Sequence, residues 1–162
     1  GGDPEHEYTE NGDRMSIPVT INTLQMLHRD IGGVKLAPIV YPGSLNAADL
    51  PLVLVWPGRA TTQAVTARGH IQKTQRVYSV RVYVDPVGQN NYDAPAQESI
   101  VLLGRFLDCY LSNTSLMDGY IQIVQVNDSG PTSASYGQTP LLYAGQAYRG
   151  FTCDLTIIEV SK

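Results

Sequence analysis

Apolar and polar residues alternate most regularly over residues 75–85, Q-R-V-Y-S-V-R-V-Y-V-D. Tyr78, Val80, Val82 and Val84 fall on one side of an extended chain, and Val77, Ser79, Arg81 and Tyr83 on the other. Period-two order in β-branched and aromatic residues predicts a strand that buries one face and leaves the other partly wet. The run L-P-L-V-L-V-W at 50–56 is apolar without a break, which predicts a strand covered on both faces. Pro51 belongs at the start of that strand or on an edge, and Pro57-Gly58 closes it. A third strand, Y-I-Q-I-V-Q-V at 120–126, follows the turn pair Asp118-Gly119. The last strand spans about 150–160, with Phe151, Cys153, Leu155 and Ile157 opposite Thr152, Asp154 and Thr156. Residues 141–148 predict a short preceding strand or a bulged extension interrupted by Gly145.

Three-and-four spacing replaces alternation in two places. Ile17, Ile21, Leu24, Leu27, His28 and Ile31 share one side of a helix over 18–31, with Asn22, Gln25, Arg29 and Asp30 mostly opposite. Ser16 is placed to cap it, Pro18 suits a first turn, and Gly32-Gly33 ends it. His28 borders the apolar stripe and reads as a hydrogen-bonded boundary histidine. The second helix covers 97–112. Ile100, Leu103, Leu107, Tyr110 and Leu111 form its apolar face, widened by Val101, Leu102 and Phe106, while Gln97, Glu98, Arg105 and Asp108 mark the wet side. Asp93 is placed to cap this helix, with Pro95 in its first turn and Asn113 as a left-handed stop. Gly104 in mid-helix costs about 1 kcal/mol relative to Ala, which predicts a close packing contact there.

Between these elements lie an irregular connector at 34–49 paced by Pro38 and Pro42-Gly43, a long loop at 57–75, a polar turn at 85–95 and a second long loop at 127–140. Residues 1–14 are acidic, Gly-bearing and almost free of large aliphatics, so they predict a flexible polar arm. Residues 15–162 then make a single domain, without internal repeat or interdomain linker. The expected fold is α+β: a two-layer sandwich of one mostly antiparallel sheet of four to five strands with two helices on one face. Parallel pairing stays open for the two strands that flank the long helix. The other sheet face carries Ser79, Arg81, Thr152, Asp154 and Thr156, too polar for a second core layer.

Composition narrows the function. Apolar residues make up 43% of 162, enough for a core without metal or disulfide support, but charged residues are only 16%, below the usual quarter. A low-charge surface suits either a subunit covered by partners or a plain polar exterior. The net charge of −4 argues against bulk nucleic-acid affinity. No apolar run reaches the ~18 residues that span a bilayer, so no membrane partner is expected. Cys109 and Cys153 read as buried small hydrophobes in a reducing compartment.

Catalytic and cofactor signatures are absent from the sequence: no G-x-G-x-x-G after a strand, no P-loop, no G-x-S-x-G and no H-E-x-x-H. His6, His28 and His70 fall in the arm, on a helix and in a loop, and suggest no triad or metal site. The expectation is a protein that is not an enzyme and needs no cofactor. Charge is segregated instead. From residue 58 to 84 there are Arg59, Arg68, Lys73, Arg76 and Arg81 and no Asp or Glu. This reads either as a solvated basic loop or as a docking surface for an acidic partner or a nucleic-acid backbone. Tyrosines crowd the strands and loops, and tyrosine is frequent in protein interfaces. The interface candidates are Arg59, Arg68, His70, Lys73, Arg76, Arg81, Tyr83 and Tyr136.

The order of elements also resembles a known family. A helix ending near D-I-G-G-V leads through a proline-paced connector to A-D-L-P-L-V-L-V-W-P-G, then to R-V-Y-S-V-R-V-Y-V, Q-E-S-I-V-L-L-G-R-F-L-D and Y-R-G-F-T-C-D-L-T-I-I-E-V. Over about 16–160 this resembles the tail terminator and tail-completion proteins of long-tailed bacteriophages, through element order rather than a signature motif. The resemblance implies a structural virion protein that forms a ring, typically six-fold, at the head-proximal end of the tail tube. It would end tube polymerisation and dock to the head connector, with DNA passing through the lumen without sequence-specific binding. The implied partners are further copies of itself, the tail tube protein and the head–tail connector protein. Assembly would take place in the host bacterial cytoplasm. Another neck or tail component (head-completion or tube-type), or a small host ligand-binding or enzymatic domain, are the alternatives.

Overall fold

The computed structural model describes residues 16–64, 72–87, 93–131 and 140–161. Helix α1 (Ile17–Arg29) and helix α2 (Asp93–Ser112) accompany six strands: β1 (Leu52–Ala64), β2 (Gln72–Pro86), β3 (Ser115–Leu116), β4 (Ile121–Asp128), β5 (Leu141–Tyr143) and β6 (Gln146–Ser161). The strands form one sheet in the order β1-β2-β6-β4-β3, with β5 also pairing β6. Every named pairing is antiparallel. The fold is α+β, with six strands where the sequence suggested four or five. The two predicted strands on either side of the long helix, β2 and β4, are not paired with each other; each pairs with β6.

Local chemistry explains most of these elements. Ser16 caps α1 by accepting from the Val19 N–H, Pro18 sits in its first turn, and Gly33 beyond its end takes φ +101°. Alternation along β2 and β6 sends Tyr78, Val80, Val82, Phe151, Cys153, Leu155 and Ile157 to one side. There they join Ile21 and Leu24 of α1 and Leu102, Phe106 and Tyr110 of α2 in a single buried cluster. Fully burying each such side chain contributes roughly 1.5–3 kcal/mol. The first part of β1, residues 52–55, is covered on both faces, as its unbroken apolar run predicts. Val53 and Val55 enter the main cluster, and Leu52 and Leu54 enter a second one with Leu50, Tyr83 and Tyr148.

That second cluster corrects the expectation that the far face is too polar to hold a core. Leu45 and Tyr143 fold over it from the 34–51 connector and the β5–β6 hairpin. Gly150 lies opposite Tyr83 on β2, where a Cβ would run into the Val82 carbonyl oxygen, so only glycine lets β2 and β6 close there.

Other expectations also shift. The apolar stripe of α2 is rotated: Ser99, Leu102, Phe106 and Tyr110 are buried, while Ile100, Val101 and Leu111 are exposed. Gly104 has no packing contact, since a Cβ there would meet no heavy atom within 4 Å. Asn113 does not adopt a left-handed conformation. It finishes α2 with its side chain, donating from Nδ2 to the Cys109 carbonyl at 2.8 Å. Gln25 and His28 are wholly buried rather than on a wet side or boundary. The predicted loop at 57–75 is largely strand, because β1 and β2 run on as a ribbon to Ala64 and from Gln72. The predicted arm at 1–14 lies outside the described residues.

Candidate functional site

The ribbon is the first part of the candidate site. Between Pro57 and Ala60 the β1–β2 register shifts by a bulge. Gly58 sits in it because a Cβ would lie 2.6 Å from the Val77 carbonyl oxygen. Residues 57–63 are all exposed, and Thr62 and Thr74 hydrogen-bond across the ribbon at 3.0 Å. Arg59 projects from the bulge beside a shallow groove lined by Ala60, Thr61, Gln75 and Val77. Among the described residues, no backbone hydrogen bond reaches the outer side of 58–64. Nearer its start, the same edge is closed: Val53 N–H donates to the Leu36 carbonyl at 2.9 Å, and Tyr41 O–H to the Val55 carbonyl at 2.6 Å.

A buried carboxylate anchors the root of the ribbon. Glu159 on β6 accepts from the Tyr78 hydroxyl at 3.0 Å and from the Thr20 hydroxyl of α1. Arg76 lies 3.8 Å from it and donates to the Gly58 carbonyl at 2.7 Å. Burial, together with the adjacent Glu159 charge, pushes the Tyr78 phenol far above its usual range. These contacts hold charge in an almost dry place and tie α1, β2, β6 and the bulge together.

The outer sheet face is the second part. Trp56 stacks in parallel on Tyr41 at 4.0 Å between ring centroids, and Arg81 lies 5.4 Å from the Trp56 centroid. Burial raises the phenol pKa of both Tyr41 and Tyr83. Tyr83 is packed edge-on between Tyr143 and Tyr148. Its position on the outward side of β2 agrees with the alternation, but it is fully buried and presents no surface. The connector and hairpin that cover it are remote in sequence.

The interface candidates therefore separate. Arg59 and Lys73 are exposed. Arg81 is half-buried against Trp56, whereas Arg76 faces the helix side and is held by Glu159 and Gly58. Arg68, His70 and Tyr136 lie outside the described residues. The Trp56–Tyr41 stack and the Glu159 contacts escaped sequence reasoning, although the placement of Trp56 and Arg81 on one face follows once β1 and β2 are paired.

His28, Cys109, Cys153 and Asp85 sit in structural surroundings. His28 bonds Gln25 Oε1 at 2.9 Å and the Tyr110 hydroxyl at 2.7 Å, and burial lowers its pKa to about 3. Cys109 and Cys153 are both free thiols, and burial pushes Cys153 up to about 12. Burial raises Asp85 against the opposing pull of Arg149, 3.6 Å away. Among the described residues, no three His, Cys, Asp or Glu side chains are grouped to hold a metal ion. No helix among them is long and apolar enough to cross a membrane. No family model matches the chain, and no curated protein matches it.

Proposed function

We propose that this chain is a structural, ring-forming subunit of the phage tail terminator kind, which ends tube polymerisation and docks to the head connector. In this reading it is a two-layer sandwich, with both helices on one sheet face. Much of the other face and the ribbon serve as contact surface toward further copies, the tube protein and the connector. The observation that carries the reading is the ribbon, thirteen residues of β1 whose last eight (57–64) run beyond the covered edge. An exposed edge of that length is a liability in a lone subunit and a resource in an assembled one. The low charged fraction of 16% and the order of elements along the chain agree with it.

Native mass spectrometry and negative-stain imaging over a concentration series, with and without tube protein, test it. The expected result is a closed ring, on its own or templated on tube ends, and tubes whose growth stops when this protein is added. A compact monomer under all conditions, with tube growth unaffected, would overturn it.

A further inference from the structure

The sheet has a second free edge, and its chemistry is the complement of the first. On β4, pairing with β3 covers only Ile121 and Gln122, and Ile123 N–H donates to the Thr114 carbonyl. Among the described residues, the outer side of 124–128 has no backbone partner, and Val124, Gln125, Asn127 and Asp128 are exposed. The ribbon edge belongs to a stretch, 58–84, with five cations and no acid. The β4 edge belongs to a stretch, 106–148, that holds Asp108, Asp118 and Asp128 and no Lys or Arg. Asp118 and Asp128 are exposed, as are Arg59 and Lys73 at the other edge.

We infer that the free β1 edge of one copy pairs with the free β4 edge of the next, making one continuous sheet around the assembly. This deepens the ring reading proposed above and rests on it. The strand count supports the geometry. Across β1-β2-β6-β4 every neighbour is antiparallel, so β1 and β4 run in opposite directions. A copy rotated about an axis along the strands then presents its β1 antiparallel to β4, and the alternation continues. Such a contact is head-to-tail, which generates closed rings, whereas β1 against β1 would give only a two-fold dimer.

The two free segments are also staggered. Thr61 is level with Ile158 through Gln75, whereas Val126 is level with Leu155, three residues further back along β6. Closing strands into a cylinder requires such a stagger. Opposed residues must share a face. Thr61, Gln63, Gln125 and Asn127 all point to the outer face. A register that satisfies this sets Thr61 opposite Asn127 and Gln63 opposite Gln125, and brings Arg59 toward Asp128.

The test mixes copies carrying Gln63→Cys with copies carrying Gln125→Cys, and likewise Thr61→Cys with Asn127→Cys, in a Cys109→Ala background under mild oxidation. Circular dichroism confirms that each variant is folded. The expected result is a disulfide-linked dimer in at least one mixture and not in either variant alone. In parallel, Arg59→Glu or Asp128→Lys alone weakens association tenfold or more, and the two reversals combined restore it. Rings that form without any mixed cross-link and ignore both reversals overturn the edge pairing while leaving the ring reading intact. A cross-link from β1-cysteine copies alone overturns it in favour of a two-fold contact. Absence of both rings and cross-links overturns the two together.

Discussion

Acidification should destabilise this protein through His28, by an amount the structure fixes. The Gln25 amide donates from Nε2 to the carbonyls of Pro38 and Val53, at 2.8 and 2.9 Å, which leaves its Oε1 facing His28. His28 Nδ1 therefore carries the proton and donates to that oxygen, and Nε2 accepts from the Tyr110 hydroxyl. The ring is fully buried between Phe106 and Tyr110. A second proton would place an uncompensated charge in the core and turn a donor toward the Tyr110 hydroxyl, which is already donating. Burial accordingly lowers the folded pKa to about 3 from 6.5.

Because the folded pKa is depressed, the unfolded chain binds the extra proton first. The neutral form's stabilisation is complete above pH 6.5 and is lost as pH falls toward 3. At pH 5.0 the loss is about 2 kcal/mol, and it is nearly independent of the folded value as long as that stays below about 4. The measurement is urea unfolding at pH 7.5 and 5.0 for the wild type and for His28→Gln, which keeps one donor and one acceptor but cannot titrate. The structural cost of His28→Gln does not depend on pH, so the variant's stability deficit relative to the wild type shrinks by about 2 kcal/mol between pH 7.5 and 5.0, the loss that the wild type alone shows. Other titrations, including that of Asp85, are common to both proteins and cancel. Equal losses in the two proteins, or an NMR titration of the His28 ring near pH 6.5, would refute the reasoning.

Replacing Gly150 by Ala forces β2 and β6 apart at the Val82 carbonyl. It costs on the order of 3 kcal/mol or more, read as a drop of roughly 6–12 °C in the thermal midpoint. Glu159→Ala strips the acceptor from Tyr78 and Thr20 and leaves Arg76 without its counter-charge. The expected loss is about 3–5 kcal/mol in chemical denaturation, with Glu159→Gln milder because it keeps an acceptor oxygen. Thiol labelling of the native protein at pH 8 should modify Cys109 and spare Cys153, whose buried thiol is pushed up to about 12. Equal labelling rates at the two sites would mean that β6 opens readily.

The legible parts of the fold were those where one residue pattern answers to one environment. Alternation in β2 and the unbroken apolar run of β1 each specify which faces are covered, and Ser16 marks the start of α1 by a bond to its own first turn. Helix α2 is different, because Ile100, Val101, Leu102, Leu103, Phe106, Leu107, Tyr110 and Leu111 surround most of its axis. With apolar residues on nearly every side, periodicity does not choose a face. The neighbours do, by accepting Ser99, Leu102, Phe106 and Tyr110. The ribbon was hidden for the opposite reason. Polar residues at 58–63 are wet on both faces, so no alternation marks them as strand, and their register comes from pairing with β2. Gln25 and His28 became core residues through carbonyls and a hydroxyl far away in sequence.

The candidate site turns on a point of parity. The five cations between residues 58 and 84 look like one patch when read along the chain. In a strand, however, residues separated by an odd number occupy opposite faces. Lys73 and Arg81 point outward with Gln75 and Val77, and Arg76 points inward, where it serves Glu159 and the Gly58 carbonyl. The run is thus divided between holding the ribbon at its root and charging its surface. Arg81 is partly withdrawn against Trp56, which leaves Arg59 and Lys73, among the described residues, as exposed charges flanking the free edge. Two exposed cations among the described residues are too few to attract a polyanion in bulk. They suffice to orient one short acidic edge, such as that ending in Asp128, before backbone hydrogen bonds form.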